Sequence, residues 1–297
     1  MTICVAVKVY DGIVLASDSA SVIIIKDPQT GQNINYISYE NANKIYNLIK
    51  ERPIGVMTSG IGSIGNISIE NLTKNFRAEI SKEGNEWKID KDNYTIEQIT
   101  KQFQKYIYEK HYTPTFASWK EKPGLSFIVA GYSKNDHDST HSPEIWQISI
   151  EDGTGDCSKS PVHLCKTNDT GIYPIGLLEP IWRLFWGFSL NLEGQVLKKS
   201  GLTNTKTHEI MKSCYHNLMA PLVHPTMPIQ DAIDLAKFLV DMTEKFYRYT
   251  PYTTSYVSGP IEIAAITKHE GFNWVQRKLY FSEDLNPHQL NRGGDES

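Results

Sequence analysis

A threonine in the second position, directly behind Met1, is the residue of this chain best suited to chemistry. Aminopeptidases remove an initiator methionine that precedes a small residue, and Thr2 would then carry a hydroxyl group and a free α-amine. Because an α-amine has a pKa of about 7.7 to 8.0, a useful fraction is neutral near neutral pH and can accept the hydroxyl proton. Thr2 could therefore act as a nucleophile whose own α-amine is the general base. The alternative is an ordinary threonine at a frayed terminus.

The residues that follow predict a rigid support for Thr2. An alternating apolar run over residues 3–9 leads through Asp11-Gly12 into a second apolar run over residues 13–16. An Asp-Gly pair between two such runs is the strongest short-range signal for a β-hairpin. Thr2 is thus predicted to lie at the root of a buried hairpin, where it is held in place.

Four short sequence motifs follow one another along the first sixty residues of the chain. They are Thr2 before the hairpin, Ala16-Ser17-Asp18 at its end, Asn41-Ala42-Asn43-Lys44-Ile45-Tyr46, and a strand that ends in Ser59-Gly60. In these residues, and in the spacing from Thr2 to Asp18, the chain resembles the 20S proteasome β-subunit family of N-terminal-nucleophile hydrolases. It is similar to bacterial proteasome-related proteins. Further matches at Gly176-Leu177-Leu178-Glu179 and over residues 258–267 extend the resemblance to about residues 2–275.

The resemblance implies an α+β fold, a four-layer αββα sandwich in which two antiparallel sheets lie between helical layers. It implies one domain over residues 2–281, with insertions at about residues 22–43 and 180–226, and a flexible tail over residues 282–297. Helices are predicted from periodicity over residues 64–80 and 95–112, and strands over residues 125–132 and 144–150. Aromatic residues in the second insertion predict an amphipathic helix packed on the core or on a neighbouring subunit: Trp182, Phe185, Trp186 and Phe188.

The resemblance also implies a catalytic set of Thr2, Asp18, Lys44 and Gly60. A lysine ammonium beside the nucleophile would stabilise a developing alkoxide and keep the nearby amine neutral, because a like charge disfavours protonation. An aspartate paired with that lysine would hold the charge in place. The backbone amide of a glycine suits an oxyanion, since the missing side chain lets a substrate carbonyl come close.

The chain departs from the family pattern in the residues that hold the terminal amine. Active members use an aspartate and two serines, whereas the nearest matches here are Thr170, shifted by one residue, and Ser255 and Ser258, with no aspartate before them. These three are candidate supporting residues. Two classes of function therefore stay open: a threonine-type peptidase or amidase, and a catalytically silent assembly or scaffold subunit. An amidase that acts on a small molecule is a third.

Composition indicates which classes of protein and which cellular compartment fit the chain. With 297 residues and a formal net charge of −4, the chain can bury a large core and does not have the basic surface of a general nucleic-acid binder. It has no apolar run of membrane-spanning length and no leader pattern. Four scattered cysteines, Cys4, Cys157, Cys165 and Cys214, predict reduced thiols in the cytoplasm and not a disulfide framework.

Cofactors and partners follow from the same features. No cofactor is predicted, and no metal either, because the histidines and aspartates within residues 136–141 fit a solvated hairpin loop better than a metal site. The implied partners are a peptide or unfolded-protein substrate and further copies of the chain in a homo-oligomeric ring or spiral. Whether an ATPase regulates that assembly is left open.

Overall fold

The structure is a computed structural model that describes residues 2–26, 33–134, 142–165, 168–250 and 257–278. Its strands are β1 Ile3–Val9, β2 Gly12–Ser17, β3 Ser21–Lys26, β4 Asn33–Tyr39, β5 Ile45–Asn47, β6 Ile54–Gly60, β7 Ser63–Ile64, β8 Ile67–Ser68, β9 Leu125–Gly131, β10 Glu144–Ile150, β11 Val162–His163, β12 Gly171–Gly176, β13 Glu262–Thr267 and β14 Gly271–Gln276. Its helices are α1 Ile69–Glu79, α2 Ile96–Gln104, α3 Thr113–Phe116, α4 Glu179–Trp186, α5 Leu192–Ser200, α6 Asn204–Leu218 and α7 Ile229–Tyr249, with a π-helix over Lys105–Tyr112 between α2 and α3.

The first hairpin forms as predicted. Strands β1 and β2 pair antiparallel from Val9 opposite Gly12 to Cys4 opposite Ser17. The turn between them consists of Tyr10 and Asp11, one residue before the predicted Asp11-Gly12, because Gly12 already pairs with Val9. This pairing brings the start of β1 next to the end of β2, so the residue before β1 and the residue after β2 become neighbours.

Two five-stranded antiparallel sheets contain most of the strands. The first has the order β12-β1-β2-β13-β14, and the second has the order β11-β10-β9-β6-β5. Strand β1 therefore lies inside its sheet, between β2 and β12. A strand that is paired on both edges leaves few free backbone groups, and this makes β1 a firm support for the residue that precedes it.

The side chains of β1 show how the layers stack. Cys4 and Ala6 point to one face and pack with Met57 and Ile128 of the other sheet. Ile3, Val5, Val7 and Val9 point to the opposite face and pack against α7. Both faces of the strand are buried, as the period of two requires when a sheet lies between two layers.

The second sheet is covered in the same way. Its outward face packs against α1 and α2, where Phe103 contacts Phe76 and Phe127 edge to face with ring centroids 5.2 and 5.0 Å apart. The molecule thus has a helical layer, two sheets and a second helical layer. The prediction of an α+β fold with an αββα sandwich is confirmed.

The predicted elements agree with the structure apart from details at the helix ends. The helix predicted over residues 64–80 begins only at Ile69, because Ser68 caps it and accepts a hydrogen bond from the Asn71 amide. The helix predicted over residues 95–112 begins at a capping box formed by Thr95 and Gln98. It then widens into the π-helix, which the apolar periodicity does not reveal. The strands over 125–132 and 144–150 form as β9 and β10.

The two insertions form separate structures. The first carries the two-stranded sheet of β3 and β4, in which Ile23 lies opposite Ile37. The second carries α4, α5 and α6. The aromatic helix α4 packs on the core through Ile181 and Phe185, in agreement with the first of the two predicted locations. Within the described ranges, no helix combines the length and apolar composition that crossing a bilayer requires.

Candidate active site

Thr2 lies in a closely packed position at the start of β1. The residue is 5% exposed, and its carbonyl oxygen accepts a hydrogen bond of 2.8 Å from the Leu177 amide. Gly176, at the end of β12, approaches the Thr2 backbone so closely that an added Cβ would lie 1.9 Å from the Thr2 carbonyl oxygen. The backbone of Thr2 is therefore held against the end of β12.

Asp18 lies directly beside Thr2 because of the hairpin. Its Oδ1 accepts a hydrogen bond of 3.0 Å from the amide of Ile3, and its own amide donates to the Ile3 carbonyl at 3.3 Å. Its Oδ2 accepts a hydrogen bond of 3.1 Å from the Ala20 amide. The carboxylate is thus held by backbone groups on both sides, and one of them belongs to the residue that follows the proposed nucleophile.

Lys44 forms an ion pair with Asp18. The distance from Lys44 Nζ to Asp18 Oδ1 is 2.8 Å, and the two residues are 5% and 0% exposed. Burial raises the pKa of the Asp18 carboxyl, while the Lys44 ammonium and the amides of Ile3 and Ala20 oppose that rise. A buried pair of this kind holds a positive charge at a defined point next to the start of β1.

Strand β6 brings Ser59 and Gly60 to the same place. The Lys44 carbonyl accepts a hydrogen bond of 3.0 Å from the Thr58 amide. A Cβ added to Gly176 would also lie 2.9 Å from Ser59 Oγ, so Gly176 touches Thr2 and Ser59 together. Gly60 follows at the exposed end of β6 with φ of 122°, a conformation that favours glycine.

The candidate supporting residue Thr170 lies at the far end of β12 from Thr2. Thr170 precedes β12 at the end where Gly171 lies opposite Lys8, whereas Gly176 lies opposite Ile3. Six residues of strand correspond to about 20 Å at a rise of about 3.3 Å each, so Thr170 is too far from Thr2 to hold its amine. This corrects the expectation for Thr170. The β12 residues that lie beside Thr2 are Gly176 and Leu177, which have no hydroxyl group.

The other two candidates come from the segment before β13. Ser255 lies outside the described residues. Ser258 accepts a hydrogen bond of 3.1 Å from the Ser19 amide through its carbonyl oxygen. Because Ser19 follows Asp18 directly, Ser258 belongs to the surroundings of the site. Its role toward the Thr2 amine remains a prediction.

A second buried ion pair near the site was not anticipated from the sequence. Glu262, at the start of β13, lies opposite Ser17, and its Oε2 is 3.3 Å from Lys278 Nζ. Burial raises the pKa of Glu262 and lowers the pKa of Lys278. Glu262 occupies an acidic position in the family-like strand over residues 258–267, which was a usable signal. No pattern in the sequence indicated Lys278.

Cys4 is the other nucleophilic side chain near the ion pair. Its Sγ donates to the Thr58 carbonyl at 3.3 Å, and burial raises the pKa of the thiol. A thiol that stays protonated is a poor nucleophile, so Cys4 does not compete with Thr2. All four cysteines are free: Cys4 and Cys165 are buried, and Cys157 and Cys214 are half-buried.

Metal binding has no support in the part of the chain that the structure describes. Those residues contain no group of three or more histidine, cysteine, aspartate or glutamate side chains with the arrangement of a metal site. The segment over residues 136–141, considered in the sequence and set aside, lies outside the described residues.

Two solved structures are similar to this chain over most of its length. One is an Anbu Gly-1 mutant from Hyphomicrobium sp. strain MC1, with a TM-score of 0.50, 13% identity, and coverage of 97% of this chain and 91% of that chain. The chain has the Anbu-type proteasome β-subunit fold. The other is Anbu (ancestral β-subunit) from Yersinia bercovieri, with a TM-score of 0.49, 10% identity, and coverage of 93% and 88%. No protein-family model and no curated protein matches the chain.

The Anbu-type fold accounts for the architecture, while activity depends on the residues of the site. At 13% identity the likeness concerns the path of the backbone. In this chain the fold brings a threonine, a buried aspartate–lysine pair and a glycine at a strand end to one end of the two sheets. The amide of Ile3 connects the ion pair to the threonine. This arrangement has the parts for nucleophilic attack on a carbonyl group.

Gly176→Ala is expected to disturb Thr2 and to destabilise the protein. The new Cβ would overlap the Thr2 carbonyl oxygen, and a φ of 99° strains any residue other than glycine. We expect a loss of about 1 to 3 kcal/mol in the free energy of unfolding, measured by urea denaturation. The matched control is Gly194→Ala in α5, where an added Cβ meets nothing within 4 Å, and alanine should gain about 0.5 to 1 kcal/mol. Equal stability of the two variants would contradict the close packing at Thr2.

Proposed function

We propose that this protein is a threonine-type peptidase or amidase that uses Thr2 as its nucleophile after removal of Met1. The observation that carries the proposal is the buried pair of Lys44 and Asp18, tied through Asp18 Oδ1 to the amide that follows Thr2. In the proposed mechanism the Lys44 ammonium group stabilises the negative charge that develops on Thr2 Oγ. That is the electrostatic support that such a nucleophile needs.

The reaction begins with attack of Thr2 Oγ on the carbonyl carbon of an amide bond. The neutral α-amine of Thr2 takes the hydroxyl proton, directly or through a water molecule, and later gives it to the leaving amine. The carbonyl oxygen becomes an oxyanion that the backbone amide of Gly60 would stabilise. Loss of the amine leaves an ester on Thr2. Water then attacks this ester, and the products are a carboxylic acid and regenerated Thr2.

The cost of the ion pair favours an enzyme over a scaffold. Removing two charges from water carries a desolvation penalty of several kcal/mol for each ion, which their attraction does not always repay. Apolar residues of similar size often stabilise a fold as well or better. A buried lysine and aspartate at the root of the first hairpin are therefore better explained by a reaction than by assembly alone.

A catalytically silent assembly subunit is the second candidate, and one observation favours it. The β12 residues beside Thr2 are Gly176 and Leu177, and neither offers a hydroxyl group to the α-amine. The aspartate of the family pattern is also missing before Ser258. An amine without these partners is less well oriented, so hydrolysis should be slow compared with fully equipped members of the family.

The proposed substrate is a peptide or an unfolded protein, reached inside a homo-oligomeric ring or spiral in the cytoplasm. Free cysteines fit a reducing compartment. The arm formed by β3 and β4 supports self-association, because Ile23 and Ile37 lie opposite each other and are 50% and 40% exposed. Nearby Tyr39 is 55% exposed. An exposed apolar patch on an arm of this kind usually marks a contact surface.

Charging the arm is expected to reduce the size of the assembly. Wild-type protein at micromolar concentration should show a mass several times the 33.7 kDa of one chain in light scattering. Ile23→Lys combined with Ile37→Lys should shift this mass toward one chain, because lysines placed opposite each other repel and are costly to bury. The control is Val162→Lys on β11, which replaces a residue that is 52% exposed at the edge of the other sheet. An unchanged mass in the double variant would exclude this surface from the contact.

Hydrolysis itself is tested with a mixture of unstructured peptides and with a folded protein. The proposal predicts new peptide termini, detected by mass spectrometry, in the peptide mixture and none in the folded protein. Cleavage of both substrates by a monomeric protein would contradict the compartment. A lack of cleavage together with hydrolysis of simple amides would favour the small-molecule amidase, and no hydrolysis at all would favour the silent subunit.

A further inference from the structure

Lys278 reaches from the end of the described chain into the neighbourhood of Asp18 and Lys44. It follows β14, and its side chain is 9% exposed. Its Nζ donates to Ser19 Oγ at 2.5 Å and to the Ala42 carbonyl at 2.7 Å. The third contact is the carboxylate of Glu262 at 3.3 Å. An ammonium group has three donors, and here all three are directed at protein acceptors.

The acceptors of Lys278 are adjacent to the proposed catalytic residues. Ser19 directly follows Asp18, and Ala42 lies two residues before Lys44. The Ala42 amide also donates to the Ser19 carbonyl at 2.9 Å, so the two segments are joined directly as well. Glu262 lies opposite Ser17 across β2 and β13. One side chain therefore connects the segment that carries Asp18 with the segment that carries Lys44.

Burial of Lys278 is hard to explain by stability. A lysine that loses water needs compensation for its desolvation, and the surroundings of its ammonium group contain a like charge, Lys44, beside the carboxylates of Asp18 and Glu262. An apolar side chain of similar length would fill the same space without that cost. Its two hydrogen bonds, to Ser19 and Ala42, and its ion pair with Glu262 instead fix the geometry of the segments that they join.

We propose that Lys278 is a positioning residue of the Thr2 site, which holds the segments of Asp18 and Lys44 in register so that the Lys44 ammonium stays next to the nucleophile. The proposal rests on the function proposed above. It adds a residue from the opposite end of the described chain to a catalytic set, Thr2, Asp18, Lys44 and Gly60, that lies within the first sixty residues.

The test separates positioning from simple ion-pair stability. Lys278→Met alone would leave Glu262 buried without its counter-charge, and this can unfold a protein for reasons unrelated to the site. The informative variant is therefore Lys278→Met combined with Glu262→Gln, which removes both charges and keeps similar side-chain volumes. The control is Lys245→Met on α7, where the lysine is exposed and pairs with Asp241. Circular dichroism establishes that each variant is folded.

The readout is the reaction of Thr2 with a peptide epoxyketone, an electrophile that bonds to the hydroxyl and the α-amine of an N-terminal threonine. In the double variant we expect the maximal inactivation rate to fall by about 10²-fold, the cost of a small misplacement of catalytic groups. Reversible binding of the same probe should change little, and Lys278→Arg should restore part of the rate. The control variant should react like the wild type.

The experiment distinguishes failure of the proposed role of Lys278 from failure of the proposed function. A folded double variant that reacts at a rate within about twofold of the wild type overturns the role of Lys278 and leaves the proposed function intact. A wild-type protein that does not react with the epoxyketone at all overturns the proposed function, and the role of Lys278 falls with it because there is no nucleophile to position.

Discussion

Replacement of Thr2 by valine is expected to abolish hydrolysis and leave the fold in place. Valine has nearly the same shape as threonine and replaces only the hydroxyl group with a methyl group. It is also small enough for Met1 to be removed. Loss of the nucleophile in a related type of hydrolase costs about 10⁶-fold in kcat, so cleavage of a peptide substrate should fall below detection.

The matched variant is Thr2→Ser, which retains a hydroxyl group and should retain measurable hydrolysis. Both variants should unfold at nearly the wild-type urea concentration, because the backbone contacts of Thr2 with Gly176 and Leu177 do not involve its side chain. Valine and serine variants with equal activity would show that another residue performs the attack. In that case the position of Thr2 beside the ion pair would have no catalytic meaning.

Replacement of Lys44 by methionine is expected to have the next largest effect. The ammonium group of Lys44 lies 2.8 Å from Asp18 Oδ1 and is almost completely buried, so its charge acts in a medium that screens it weakly. Loss of one such electrostatic group typically lowers kcat by about 10² to 10³-fold. Lys44→Met leaves the Asp18 carboxylate unpaired and can cost about 3 to 5 kcal/mol of stability. The double variant Lys44→Met with Asp18→Asn separates the two effects.

The behaviour of Asp18 with pH follows from the same geometry. Burial raises the pKa of this carboxyl, so its protonation on acidification occurs at higher pH than in an exposed aspartate. As the pH falls through that raised pKa, Lys44 loses its counter-charge and activity should decrease. Protonation of the α-amine, the proposed general base, also lowers activity in acid. Asp18→Asn should therefore lower activity at every pH and make the acidic limb of the kcat profile less steep. A limb of unchanged steepness in Asp18→Asn would show that Asp18 does not contribute to it.

The first hairpin was predictable because its signals are local, whereas the two sheets were expected from the family resemblance. Alternation over residues 3–9 and a turn signal within one residue of the observed turn predict the hairpin, and its register places Asp18 beside Ile3. The motif around Lys44 then falls in the correct position, since β5 and β6 pair directly. Short-range patterns of this kind specify their own partners.

The remaining features depend on contacts between distant parts of the chain. The expectation for Thr170 failed because the resemblance between short motifs did not fix the register of β12 against β1, and the end of β12 that meets Thr2 carries Gly176. No sequence motif surrounds Lys278. Its contacts with Ser19 and Ala42 are seen only in the folded chain, where Lys278 follows β14. A sequence pattern reports periodicity along the chain, whereas these contacts are set by tertiary packing.

The most direct test of the account is the mass of the N-terminal peptide of the purified protein, before and after treatment with the peptide epoxyketone. We predict that the untreated peptide begins with Thr2 and lacks Met1, and that the treated peptide carries one equivalent of probe on Thr2. An N-terminal peptide that retains Met1 or any preceding residue, and that stays unmodified by the probe, would contradict the claim that Thr2 is the nucleophile of this protein.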